Sequence, residues 1–402
     1  MQLLKARSVR AVMPFVLVLA LLMPIPAASS ESSSFDTRNV VLGAFLEEAF
    51  ALSGANAATH EFFPKRLNIA EGDDVHFDVG GFEGILILPA NVGAQDWIDD
   101  NASTPADPFS FIVEDPDEAP GNLKGNNALV LGTDPTCGGP GDPPCSVDGT
   151  GVHSSGVIAE GDFLTYDVTI DLVEGDFVWV VNSVFPDHRM KINVVAPGDR
   201  TSQADIDDER VDAFKRYADA AAALHTKLSN KQSRHRGRGG GRVWDAWAGY
   251  DTQHFDLLDF YPQKLTIKKF DRVRWHFDSL IDEVHTVSVP RPRALQTAAN
   301  VFAPVCDPDG DAGPGPDNPP DLPGPPFCSN IAELEFDIPA GFVLPRGNGT
   351  YRGGNDFESS GARGGGLPEN PYTLKFKKRS SKRGNPYICM LHPFMRGRVI
   401  VK

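Results

Sequence analysis

The sequence predicts an all-β protein: two antiparallel Greek-key β-sandwiches joined by a helical and Gly-rich linker. Three observations carry this. The chain holds 39 Gly and 33 Pro in 402 residues, a supply of turn formers. Its apolar residues fall in short alternating runs. Its two halves also repeat one another at a separation of roughly two hundred residues.

The repeat is carried by three blocks in the same order. "FFPKRLNIAEGDDVHF" resembles "FYPQKLTIKKFDRVRW", so that Pro64, Leu67 and Ile69 fall on Pro262, Leu265 and Ile267. Asp73, Val75 and Phe77 follow onto Asp271, Val273 and Trp275. "GILILP" then matches "HTVSVP", which puts Pro89 on Pro290 and Gly84 on His285. Last, "VFPDHRMKINV" matches "LHPFMRGRVIV", with Pro186 on Pro393 and Arg189 on Arg396.

Taken in order, residues 1–29 form a secretory signal. Lys5, Arg7 and Arg10 precede the apolar run "AVMPFVLVLALLMPI", and "PAASS" offers small residues for cleavage. The run is short and broken by Pro14 and Pro24, which favours cleavage over a retained anchor. The expectation is an exported protein, periplasmic, extracellular or associated with the cell envelope, with no integral membrane span once the signal is removed. Removal takes the formal charge from −16 to −19, which argues against nucleic acid or anionic membrane as the main partner.

Residues 40–199 make the first sandwich and residues 200–250 the linker. From Asp205 to about Asn230 the pattern is helical, with Val211, Phe214, Ala218, Ala221, His225 and Leu228 on one face. "RHRGRGGGR" follows as a basic, solvated linker. Residues 251–402 make the second sandwich. There "LTIKKFDRVRW" alternates, and "YTLKFKK" and "YICML" are strands flanking the turn "RSSKRGNP".

Export sets the redox context of the five cysteines. Cys137 and Cys145 flank "GGPGDPP", and Cys306 and Cys328 flank a Pro/Asp/Gly-rich loop; each pair closes a segment that a disulfide would order. Cys389 is left alone. Asp307, Asp309 and Asp311 resemble a calcium-binding loop but lack the Gly and closing Glu of an EF-hand, so a disulfide-tethered disordered loop is expected there.

The lone Cys389 lies in "YICMLHPFMRGRVIV", with His392 and Met395 following it. A soft thiolate and thioether suit Cu(I), and imidazoles also suit Cu(II). A loop after a strand can bring Cys389, His392 and Met395 to one metal, and His285, which opens the alternating strand "HTVSV", is the candidate fourth ligand. The competing reading is a Cys and a Met packed in an ordinary strand.

The segment resembles the ligand loop of the cupredoxin (plastocyanin/azurin) family, most of all the amicyanin spacing Cys-x-x-His-Pro-Phe-Met. The resemblance covers Tyr261 to Lys402, with a long insertion from about Ala298 to Gly366. It implies a cupredoxin sandwich holding one type 1 copper on His285, Cys389, His392 and Met395. It also implies one-electron transfer between a redox-protein donor and acceptor, with His392 as the electron portal. Thr286 follows His285 where many members carry Asn, so the bond between the ligand segments is expected to differ. At the matched positions the first half offers Gly84, Asn182, Phe185 and His188, which lack a thiolate; it is expected to be a cupredoxin-like sandwich without type 1 copper.

Two-domain copper enzymes need an adjacent His-Cys-His arrangement and His-x-His pairs. Here Ile388 and Met390 flank Cys389, and no His-x-His occurs. The expectation is an electron carrier with no catalytic residues. The alternative is copper sequestration, or a cell-envelope binding module, without an electron-transfer partner.

Overall fold

The computed structural model describes residues 35–81, 83–101, 112–114, 123–125, 131–134, 136–158, 164–231, 233–237, 241–277, 284–289, 305–306, 322–323, 334–335, 345–354, 356–364, 371–392 and 394–402. The signal segment and Asp307–Asp311 lie outside these residues, as does the expected Cys306–Cys328 pairing. Cys137 and Cys145 are disulfide-bonded, and Cys389 is a buried free thiol. No helix among the described residues is long and apolar enough to cross a membrane.

The first half runs β1 (Thr37–Phe45), α1 (Glu47–Ser53), β2 (Ala57–Phe63), β3 (Arg66–Ile69), β4 (Asp74–Val79), β5 (Glu83–Ile87) and α2 (Ala94–Asn101). It continues with β6 (Cys145–Val147), β7 (His153–Ile158), β8 (Leu164–Ile170), β9 (Phe177–Asn182) and β10 (Arg189–Val194). One sheet contains the order β2-β1-β4-β8-β6, and the other contains β3-β10-β9-β5-β7. Alternation fixes which faces meet: along β10 the residues Met190, Ile192 and Val194 are buried between partly exposed neighbours. A one-residue slip would turn all three outward, and each buried side chain of this size is worth about 1.5–3 kcal/mol, so the register is strongly held.

After α3 (Gln203–Ser229), the second half repeats the plan. Its strands are β11 (Ser233–Arg236), β12 (Arg242–Asp251), β13 (Asp256–Tyr261), β14 (Lys264–Ile267), β15 (Arg272–His276) and β16 (Ser288–Val289). They are followed by β17 (Thr350–Tyr351), β18 (Glu358–Ser359), β19 (Tyr372–Phe376), β20 (Asn385–Ile388) and β21 (Arg396–Val401). The sheet orders β13-β12-β15-β19-β17 and β14-β21-β20-β16-β18 match the first half strand for strand. Even the parallel pairs recur: β6 lies parallel to β8, as β17 does to β19.

The halves join edge to edge through β2 and β13, which pair antiparallel with Ala58 opposite Asp256 and Ala57 opposite Leu257. The offset that puts Pro64 on Pro262 also puts Ala58 on Asp256, so this position pairs with its own counterpart, as at a local twofold axis. α3 covers the junction. Its residues Ala213, Tyr217, Ala218, Ala221 and Leu228 pack with Phe63, Trp247 and Tyr261.

Two expectations for the linker are corrected. Of the expected face of α3, Ala218, Ala221 and Leu228 are buried and Phe214 and His225 half-buried, but Val211 is 60% exposed, and Ile206, Ala213 and Tyr217 join the buried face instead. Part of the basic linker is also a strand: β11 pairs with β12, which lies beside β15 in the sheet that runs through both halves. Charged side chains on β11 suit an edge strand exposed along its whole length.

Candidate metal centre

The repeat becomes sharper at the level of hydrogen bonds. Ser155 Oγ accepts from Ile85 N at 2.9 Å, and Ser360 Oγ accepts from Val287 N at 2.7 Å. The neighbouring hydroxyls Ser154 and Ser359 accept from Gly156 N and Gly361 N. "SSG" therefore recurs at residues 154–156 and 359–361, a fourth block whose signal was present in the sequence but unused.

The ligand loop repeats as well. Cys389 N donates to Met395 O at 3.2 Å and Met395 N to His392 O at 2.8 Å, as Asn182 N does to His188 O and His188 N to Phe185 O, both at 2.9 Å. Asn182, Phe185 and His188 thus stand where Cys389, His392 and Met395 stand. The counterpart of His285 is corrected. Leu86 pairs with Val181 and Ser288 with Ile388, which puts Glu83, not Gly84, on His285. The match of Pro89 with Pro290 misled by one residue because the register is set by the strand ladder and not by the prolines.

In the second half three of the four expected ligands converge. Ligand atoms of His285, Cys389 and His392 all lie within 4.8 Å of one another. Cys389 follows the end of β20, and the tight loop after it brings His392 Nδ1 to 3.6 Å from Cys389 Sγ. His285 is held by a two-way backbone bridge to Arg363, 2.8 and 3.0 Å. Met395 is fully buried in the same core as Cys389, and its backbone closes the loop.

Thr286 ties the two ligand segments together. Its backbone N donates to Cys389 Sγ at 3.2 Å, and its hydroxyl accepts from Met390 N at 2.7 Å. Threonine here does bind one segment to the other, with its hydroxyl as the acceptor. Burial alone would push the Cys389 thiol up, but the imidazoles of His285 and His392 outweigh it and hold the thiol well below its usual range.

The donor set fits copper. A thiolate and two imidazoles, with a thioether in the same core, combine soft and borderline ligands. Both ring nitrogens of His285 are buried without a hydrogen-bond partner. Leaving such a group unsatisfied costs about 1–3 kcal/mol, a cost that a metal ligated by one nitrogen would offset. His392 is only half-buried. Its ring lies 5.8 Å from that of Phe394, and Phe394 meets Phe45 of the first half edge-on at 6.1 Å.

The corresponding place in the first half holds a polar plug. His60 Nδ1 lies 2.6 Å from Glu83 Oε1, and His60 Nε2 lies 2.9 Å from Asp256 Oδ2, a residue of the second half. Asn182 Nδ2 donates to Glu83 Oε2, and the His60 ring lies 3.9 Å from that of Phe185. Burial would lower the His60 pKa, but Glu83 and Asp256 overcome it and raise it well above the ordinary value. Of the other first-half histidines, His76 is bound to Asp167 on the sheet surface.

No family model and no curated protein matches this sequence. Among solved structures, auracyanin from the photosynthetic bacterium Roseiflexus castenholzii is similar at 11% identity, with a TM-score of 0.23 over 40% of this chain and 97% of that one. A Cu-containing nitrite reductase from Thermus scotoductus is similar at 11% identity, with a TM-score of 0.21 over 91% of this chain and 68% of that one. Multicopper oxidase mgLAC is similar at 12% identity, with a TM-score of 0.16 over 63% of this chain and 64% of that one. With scores this low, the reading of the site rests on its own atoms.

Proposed function

We propose that this chain is an exported blue (type 1) copper protein that carries single electrons through a site in its second half. The observation that carries the reading is the convergence of buried His285 and Cys389 with half-buried His392, with Met395 in the same core. A bound copper would supply a one-electron couple between Cu(I) and Cu(II). The chain's own part is to hold the donors still. The Arg363 bridge fixes His285, Thr286 fixes the Cys389 segment, and the core around Met395 excludes water.

On this reading residues 251–402, with β12 added, are the copper-bearing sandwich, and residues 40–199 are its counterpart without type 1 ligands. The half-buried His392 is the route to a redox-protein donor and acceptor. Electron carriage is favoured over oxidase or nitrite-reductase chemistry because Ile388 and Met390, not histidines, flank Cys389.

The test is metal analysis with a visible spectrum of the purified protein. One copper per chain and an intense thiolate-to-copper band that vanishes in Cys389→Ser are expected. A colourless copper-loaded protein would sink the reading. Reversible voltammetry without oxidase or nitrite-reductase turnover would separate carrier from enzyme, and labile, poorly reversible copper would favour sequestration.

A further inference from the structure

We infer that Gly249 is a positioning residue for the copper site: a β-bulge glycine in β12 whose missing side chain forms the seat of the His285 ring. The inference rests on the copper reading above and adds a residue that no ligand motif contains. Gly249 lies outside the segments that carry the four ligands.

The register of β12 against β13 shifts between Ala248 and Tyr250, and Gly249 takes a φ of +73° there. Glycine adopts this left-handed backbone at no steric cost, and most side chains are strained there. Space is as restrictive as backbone. A Cβ on Gly249 would overlap His285 Nε2 and would lie 2.5 Å from Cδ2 and 3.0 Å from Cε1 of the same ring. Both faces of the restriction point at one ligand. Nε2 is turned against the bulge, which leaves Nδ1 as the nitrogen free to meet the Cys389 sulfur's pocket. His285 is buried, so the ring has little room to retreat.

The first half supplies an independent observation. Its β1 bulges against β2 at the equivalent place, between Leu42 and Ala44, and Gly43 has a φ of +65°. A Cβ there would overlap Glu83 Oε1 and lie 2.6 Å from Gly80 O. Glu83 is the counterpart of His285, so the fold keeps the same seat under whichever side chain occupies this position. In one copy it seats a carboxylate bonded to His60, and in the other an imidazole that faces a thiol. The bulge is thus a feature of the repeat, and the ligand is what the second copy places in it.

The test has an arm without metal and an arm with it. In metal-free protein, nuclear Overhauser contacts should link the Hδ2 and Hε1 protons of His285 to the Gly249 Hα protons. In protein loaded with Cu(I), the nitrogen shifts of His285 should show coordination through Nδ1; coordination through Nε2 overturns the inference. Gly249→Ala and Gly249→Asn should each weaken Cu(I) binding, measured against a competing chelator, by about 10- to 100-fold and alter the Cu(II) visible spectrum. The Asn variant separates seat from backbone, because Asn tolerates a positive φ yet still brings a Cβ onto the ring. Gly43→Ala should lower thermal stability and leave the copper spectrum unchanged. A blue wild-type protein whose colour and affinity survive in both Gly249 variants overturns the seat alone. Wild-type protein that takes up no copper overturns both the seat and the copper reading.

Discussion

Glu83 and His285 occupy the same position in the two halves of this chain, each seated against a bulge glycine and each the third residue before a matched ladder pair. What differs is what each faces. His285 faces Cys389 and His392, whereas Glu83 faces Asn182 and His60. One architecture thus holds a soft-metal donor set in one copy and a hydrogen-bonded ion cluster in the other.

The cluster predicts a pH dependence. The pKa of His60 is raised above its ordinary 6.5 in the folded chain, so its contribution to stability is complete below pH 6.5 and is lost as pH rises through the folded value. Thermal melts of the metal-free protein from pH 6.5 upward should show this decline, and His60→Gln should flatten it. His60→Leu removes the imidazole shared by two buried carboxylates and should cost about 3–5 kcal/mol in denaturant unfolding. An unchanged pH slope in His60→Gln would rule out the assigned role.

Thr286→Val keeps shape but removes the acceptor of Met390 N. The metal-free protein should lose about 1–3 kcal/mol, because a buried N–H is left unpaired, whereas Thr286→Ser should lose less. The Val variant should also bind copper more weakly, since the tie between the ligand segments is gone; isothermal titration and urea melts check the two effects.

Ser155 and Ser360 make the same bond in their own halves. Replacing either by Ala should cost a similar amount, about 1–3 kcal/mol. Only Ser360→Ala should weaken copper binding, because Val287, whose N–H it accepts, lies two residues from His285. Equal effects of both variants on copper affinity would contradict the division of labour between the halves.

Phe45→Ala removes the first-half ring that meets Phe394. Phe45 is 41% exposed, so the loss in stability should be small, about 0.5–1.5 kcal/mol. The ligand loop should become more open, and His392 in metal-free protein should be carbethoxylated faster than in wild type, as peptide mapping would read. An unchanged rate would mean that the first half does not shield the loop.

Much of this was legible in the sequence because it depends on local pattern. Period-two alternation gave the strands, the repeat gave the shared plan, and Cys389, His392 and Met395 sit on one loop whose spacing carries their chemistry. The helix was legible too, from its apolar periodicity, although Val211 falls outside its buried face. The exact counterpart of His285 was not legible, since a one-residue difference between strand and proline is invisible without the ladder that fixes register.

By itself the sequence determined the all-β class, the doubled plan, the Cys137–Cys145 pairing and the identity of the converging donors, because each rests on neighbours along the chain or on residue chemistry. Only the tertiary structure decided that Glu83 is the counterpart of His285, that β11 and β12 join the sheet running through both halves, and that Gly249 lies against the His285 ring. It also decided that His60 joins Glu83 to Asp256 across the two halves. These relations arise between segments far apart in the chain, where strand pairing and burial choose the partners and no local pattern records the choice.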